Sequence, residues 1–253
     1  MTFSDAQRLH VRTLLEQDRV WCAYALADLE PPFSERTTWL VGREALAMVF
    51  HGLTPALFFL HGDPSEVDGL VKGLPQAEYQ YSLLGTHRSR LGSRLQRTRE
   101  VRMWRMVLRP SDLPPRQPGW ADRLGPADLP ALIELFGDQP DRPDSFDPVQ
   151  LDRGVFFGVH LGRMLVAAAG THVVGKAAKV AAVGNVFTHP DHRRKGLASR
   201  ASAAVVRALL AQGIETIVLN VAMDNEPALR LYRALGFWPF CGYYEGVGRI
   251  TAT

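Results

Sequence analysis

The run Thr188-His189-Pro190-Asp191-His192-Arg193-Arg194-Lys195-Gly196-Leu197-Ala198-Ser199 decides how this chain is read. Before it stands Val180–Thr188, apolar and strand-like; after it, residues 197–212 carry a helical pattern that Gly213 stops. A helix start presents backbone N–H groups with no intrahelical partner at the positive end of the helix dipole, and together these bind phosphate. Gly196 has no Cβ to obstruct an approaching ligand, Ala198 keeps the next turn narrow, and Arg193, Arg194 and Lys195 add positive charge. Read alone, the run allows two accounts: a phosphate cradle, or a solvated basic turn that only caps a helix. It is neither a Walker loop nor a Rossmann fingerprint, because G-x-x-x-x-G-K-[ST] and G-x-G-x-x-G are absent at this turn.

Outward from the run, the C-terminal half has an α/β rhythm. Residues 126–136 read as a helix with Leu129, Leu132, Ile133 and Phe136 on one face. Residues 155–160 and 164–171 read as strands joined by a tight turn at Leu161-Gly162-Arg163. The proline-rich residues 137–148 read as a loop. Beyond the long helix come a strand at 216–222, a short helix at 226–235 stopped by Gly236, and a last strand at 238–244.

The short helix carries a second signature, Asn225-Glu226-Pro227-Ala228-Leu229-Arg230-Leu231-Tyr232-Arg233-Ala234-Leu235-Gly236-Phe237. Asn225 is a good N-cap and Pro227 falls in the first turn, where its missing N–H is tolerated. Ala228, Leu231, Tyr232 and Leu235 share a face, so a plain amphipathic helix with a core tyrosine also accounts for the pattern. The two signatures together, about thirty residues apart, resemble the GNAT superfamily of N-acetyltransferases. Arg193, Gly196 and Ala198 match its [RQ]-x-x-G-x-[GA]. Asn225, Ala228, Tyr232, Gly236 and Phe237 match N-x-x-A-x-x-x-Y-x-x-x-G-F.

The resemblance covers residues 125–253. It implies an α/β (α+β) fold with a mixed, mostly antiparallel sheet flanked by helices, and a transferase, an acyltransferase, that moves acetyl from acetyl-CoA to an amine. No metal is implied. Val186, Phe187 and Thr188 would offer main-chain groups to the pantetheine arm. The N–H groups of Arg194, Lys195, Gly196, Leu197, Ala198 and Ser199 would hold the pyrophosphate, with Arg193 beside them and Asn225 touching the cofactor by its side chain. Tyr232 would be the general acid toward the thiolate. Family members that acetylate protein N-termini commonly place a glutamate five residues before the motif asparagine; here that position is Asn220, which cannot accept the proton. His172 and Glu245 are the substitute bases, each also readable as an ordinary polar residue. The acceptor, a small-molecule or peptide amine, has no motif. A non-catalytic acyl-CoA-binding module and a different phosphate ligand, such as a nucleotide, stay open beside the enzyme.

Residues 1–110 read as a separate α/β domain, with residues 111–124, rich in proline and glycine, as a linker without regular structure. Ser4 caps a helix to 18; 20–29 is a second helix; 37–41, 45–51 and 56–60 are strands; a helix at 65–74 and strands at 79–84 and 99–108 follow. Some family members carry an N-terminal domain resembling half of the fold. Thr86–Gly92 (THRSRLG) follows a strand, yet its glycine falls one place late for the first motif, so no second cofactor site is expected.

With 253 residues, the chain has room for one large domain or two of ordinary size. A net charge of +3 shows no basic stripe of the nucleic-acid-binding kind, so no nucleic-acid partner is expected. Two distant cysteines make neither a disulfide framework nor a zinc spacing, which suits a reducing cytoplasm. The first residues have no signal-peptide core, and the longest apolar run is far too short for a membrane span. The expected state is monomer or homodimer.

Overall fold

A computed structural model describes residues 4–115, 121–139, 141–143 and 146–251. In chain order the elements are α1 (Asp5–Glu16), α2 (Ala23–Ala27), β1 (Thr37–Val41), β2 (Ala45–Phe50), β3 (Leu57–Gly62), α3 (Val67–Lys72), β4 (Glu78–Leu84), α4 (Gly85–Leu91) and β5 (Leu95–Leu108). They continue with β6 (Asp122–Leu124), α5 (Leu129–Phe136), α6 (Pro148–Arg153), β7 (Phe156–Leu161), β8 (Met164–Gly175) and β9 (Val180–Thr188). The last are α7 (Leu197–Ala211), β10 (Thr216–Ala222), α8 (Glu226–Ala234) and β11 (Phe237–Ile250). The fold is mixed α/β, and its strand pairs are mostly antiparallel; β3–β4 and β9–β10 are parallel.

The chain divides into two compact units. Unit 1 is Met1–Arg105, Ala222–Asp224 and Pro239–Thr253; unit 2 is Met106–Val221 and Asn225–Trp238. Residues 239–253, expected in the second domain, therefore belong to the first unit, and unit 2 begins at Met106 within β5.

Unit 1 orders its strands β1-β2-β3-β4-β11-β5. Helix α1 begins where the sequence placed it, with Ser4 and Gln7 forming a reciprocal capping box. Strand β2 alternates faces: Ala45, Ala47 and Val49 join Phe58, Leu60, Tyr81 and Leu83 in one cluster closed by Val67, Leu70 and Val71 of α3. Trp21 packs against Phe59 and Tyr243, each with ring centroids 5.2 Å away.

Unit 2 orders its strands β10-β9-β8-β7-β6. Helix α7 buries Leu197, Ala201, Val205, Val206 and Leu209, an apolar stripe at helical spacing. A separate cluster joins Leu132, Leu135 and Phe136 of α5, Leu151 of α6, Phe156, Leu165, Ala168 and Phe187.

Three expectations in this half change. The 111–124 segment does hold a regular element, because β6 pairs with β7 through Asp122↔Gly158 to Leu124↔Phe156; residues 116–120 lie outside the described ones. Ile133 does not face the core but is 58% exposed, while Leu135 is buried. A 3-10 turn at Pro126–Asp128 precedes α5, and its tighter winding shifts the phase of a pattern counted from Pro126. Finally, α6 forms where a loop was expected to end. Asp147 caps it through Val149 N–H, Gln150 closes the box, and Pro148 takes the first turn.

Asp28, at the end of α2, gives a pH signature. It is 5% exposed, and burial pushes its carboxyl up to about 8. The folded state then holds a proton between about pH 4 and 8 that the unfolded chain releases, so this group's contribution falls as pH rises through that window. Asp28→Asn removes the dependence. The mutant-minus-parent difference in unfolding free energy should grow by up to about 1.4 kcal/mol per pH unit from pH 5 to 8, read by urea denaturation. A difference flat with pH would contradict it. Buried His61 and His87, both lowered chiefly by desolvation, act in the opposite sense in acid and cancel in the comparison.

Candidate active site

The site in unit 2 starts with a defect in β9. Between Ala168↔Phe187 and Gly170↔Gly184, β8 advances two residues and β9 three, so β9 bulges at Asn185 and Val186. Asn185 takes a positive φ of 51°, and Gln150 of α6 accepts a hydrogen bond from its Nδ2 at 2.9 Å. Gly184 is required here, since a Cβ would overlap the His172 ring. The parallel ladder with β10 ends at Val183↔Leu219, and no pairing continues between the rest of β9 and Asn220–Ala222. Along this parting lie buried acceptors with no partner among the described residues: Asn185 Oδ1, Thr188 Oγ1 and Asn220 Oδ1. Such atoms are costly unless something donates to them. The Phe187 side chain points into the core, edge-on to Phe136 at 5.9 Å, which leaves only its main chain to a ligand.

Beyond β9, the chain turns through a 3-10 turn, Pro190–His192, into the cradle. Arg194 and Gly196 have φ of 61° and 71°, and the positive values on either side of Lys195 bend the backbone into a concavity of N–H groups. From Arg194 to Ser199 no amide N–H meets an acceptor among the described residues. A Cβ built on Gly196 would meet nothing, so the space before the helix is open. A cavity of about 470 Å³ adjoins it, lined by Lys195, Gly196, Ser199, Arg200, Ala203 and Ala234 among others. That is within the ordinary range for a small-molecule site.

The charge here is smaller than three basic residues suggest. Arg193 pairs with Asp141 at 2.9 Å, donates from Nε to the Thr188 carbonyl at 3.0 Å and lies over the Phe187 ring. It braces the turn instead of reaching into it. Lys195 donates to the Asp191 carbonyl at 3.2 Å.

Asn225 caps α8 by accepting from Ala228 N–H at 3.2 Å, leaving its Nδ2 for a ligand. Tyr232 is buried against Phe237, and its hydroxyl has no hydrogen-bond partner among the described residues. Desolvation pushes it up to about 12, so it keeps its proton across the working range.

The two base candidates belong to different units. His172 sits half-buried in unit 2, at a second register shift of β8. Glu245 belongs to unit 1, where it accepts from the Tyr243 hydroxyl at 2.8 Å. No group of three His, Cys, Asp or Glu able to hold a metal occurs among the described residues, and no described helix is long and apolar enough to cross a membrane.

The chain runs through one order of elements twice. Three antiparallel strands, a crossover helix, a parallel strand, a helix and a further strand occur as β1-β2-β3-α3-β4-α4-β5 and as β7-β8-β9-α7-β10-α8-β11. The counterpart of the cradle is thus the turn before α3, not Thr86–Gly92, which forms α4. That turn carries Asp63 and Glu66, and the Glu66 carboxylate already accepts the N–H groups of Arg43 and Glu44 at 2.9 and 3.0 Å. Carboxylates there oppose a phosphate.

The acetyltransferase (GNAT) family profile matches residues 127–237. A GNAT-family acetyltransferase structure from Novosphingobium aromaticivorans is similar at 22% identity, with a TM-score of 0.63, covering 92% of this chain and 96% of that one. A GCN5-related N-acetyltransferase from Kribbella flavida is similar at 17% identity and TM-score 0.66, over 90% and 95% of the two chains. A Drosophila protein reaches TM-score 0.73 at 12% identity over 99% and 98%. At such identities these likenesses speak for the fold. Over residues 127–237 the chain thus matches the acetyltransferase (GNAT) family.

Proposed function

We propose that the protein is an acetyl-CoA-dependent N-acetyltransferase whose pyrophosphate grip is the set of unbonded N–H groups from Arg194 to Ser199, the observation that carries this reading. The nucleotide end of the cofactor takes the adjoining cavity, near Lys195 and Arg200. The pantetheine arm enters where β9 and β10 part, with Val186, Phe187 and Thr188 as main-chain partners. Asn220 Oδ1 accepts from a pantetheine amide there. The residues present fit acetyl-CoA, since the orphaned polar atoms and the open N–H concavity are complementary to its amides and phosphates.

The neutral amine attacks the thioester carbonyl; the C–N bond forms, the C–S bond breaks, and the thiolate takes the Tyr232 proton. The amine loses its own proton to His172 or Glu245, directly or through water. A thiol-release assay with acetyl-CoA and a panel of amines tests the reading. His172→Gln or Glu245→Gln should remove the acidic limb of the pH–rate profile, whichever residue is the base. Two unchanged profiles would remove both candidates.

The second reading, an acyl-CoA-binding module without turnover, draws on Asn220, which replaces a possible base with a neutral amide. Tight coenzyme binding with no thiol released on any amine would favour it.

A further inference from the structure

The cavity beside the cradle is charged on one side only. All of its described lining belongs to unit 2, and it shares Lys195, Gly196 and Ser199 with the turn that opens α7. Lys195, Arg200 and Arg207 line it, and no described carboxylate does. Cations gathered in one cleft with no acid among them hold a positive potential that an anion relieves.

The three cations differ in what they already hold. Lys195 donates to the Asp191 carbonyl at 3.2 Å. Arg207 donates to the Pro114 carbonyl at 2.6 Å, which braces the segment walling the cavity. Arg200 is half-buried, yet it makes neither a side-chain hydrogen bond nor an ion pair among the described residues. A guanidinium fork left free in a cleft is shaped for the paired oxygens of a phosphate.

Its place along α7 selects which phosphate. The Arg200 N–H donates to the Gly196 carbonyl at 3.1 Å, so Arg200 stands one helical turn, about 6 Å, beyond the proposed diphosphate grip. Further along, α7 turns its large residues, Val205, Val206 and Leu209, to the core and only Ala203, Ala204 and Ala208 to the cavity beside the arginines. Longer side chains at those three positions would take up the space of about 470 Å³. A floor of methyl groups rimmed by cations suits a nucleoside that carries a phosphate of its own.

We infer that Arg200 reads the 3′-phosphate of coenzyme A, so that the protein selects the coenzyme over dephospho-coenzyme A, which has a bare ribose 3′-hydroxyl. The inference rests on the acetyltransferase reading and adds a third phosphate to it, one ribose away from the diphosphate.

Calorimetry on the full chain with coenzyme A and with dephospho-coenzyme A tests it. The parent should bind coenzyme A about tenfold or more tighter, as expected for a charge-assisted pair, and the ratio should shrink as salt rises. In Arg200→Met the ratio should fall below threefold through a loss on coenzyme A alone, with dephospho-coenzyme A bound as in the parent. Arg200→Lys, which keeps the charge but not the fork, should retain part of the ratio. Equal affinity for the two ligands in the parent would overturn the inference and leave the diphosphate grip standing. So would a preference that survives Arg200→Met, including one in which both ligands weaken alike. Neither ligand bound by the parent would sink the acetyltransferase reading, and this inference with it.

Discussion

Gly196→Trp should abolish coenzyme A binding while leaving a folded protein. Two effects act together. At φ of 71° a bulky L-residue is strained by about 1–2 kcal/mol, a modest part of a domain's stability. The new Cβ itself meets nothing, so the ring projects into the open space before the helix and covers the N–H groups. Affinity is therefore lost far beyond what strain alone removes. Calorimetry should show no heat with coenzyme A, and circular dichroism should show an ordinary cooperative melt. Retained affinity in the variant would show that the phosphates bind elsewhere.

Tyr232→Phe should lower kcat by about 10²–10⁴, the usual contribution of a positioned proton donor, and leave coenzyme affinity within twofold. The expectation rests on a hydroxyl that no described residue engages and that burial holds protonated, up to about 12. Its removal deprives the fold of no hydrogen bond, so the melting temperature should hardly move. Equal turnover in variant and parent would remove Tyr232 from the reaction and leave it as a core aromatic beside Phe237.

Much of unit 2 was legible because its signals are local. A strand run into His189-Pro190 gives the turn, Gly196 opens α7, and Asn225 with Pro227 opens α8; each is a choice made within a few residues. The bulge at Asn185 was missed although glycine inside a strand is a signal for one, since Gly184 precedes it directly. Its support from Gln150 could not be read, because it joins residues 35 apart in sequence and depends on α6, whose cap signal was lost among prolines. The basic triplet misled in the other direction. Composition counts Arg193 as free charge, but Asp141 neutralises it across 52 residues.

Arg105 illustrates the same limit. In sequence it is one arginine in a strand of alternating charge, Glu100-Val101-Arg102-Met103-Trp104-Arg105. Only the folding of the turn before α2, α2 itself and β11 into unit 1 brings Trp21, Tyr24 and Tyr243 around it. The repeat of element order along the chain was also out of reach, because it is a property of topology and puts acids at the turn before α3 where the turn before α7 carries the cradle.

An amide-resolved titration of the isotopically labelled protein with coenzyme A addresses the cradle most directly. The N–H resonances of Arg194 to Ser199 should move downfield together, saturating at the calorimetric affinity, while those of the turn before α3 stay in place. Saturation of the protein with those six resonances unmoved would contradict the account.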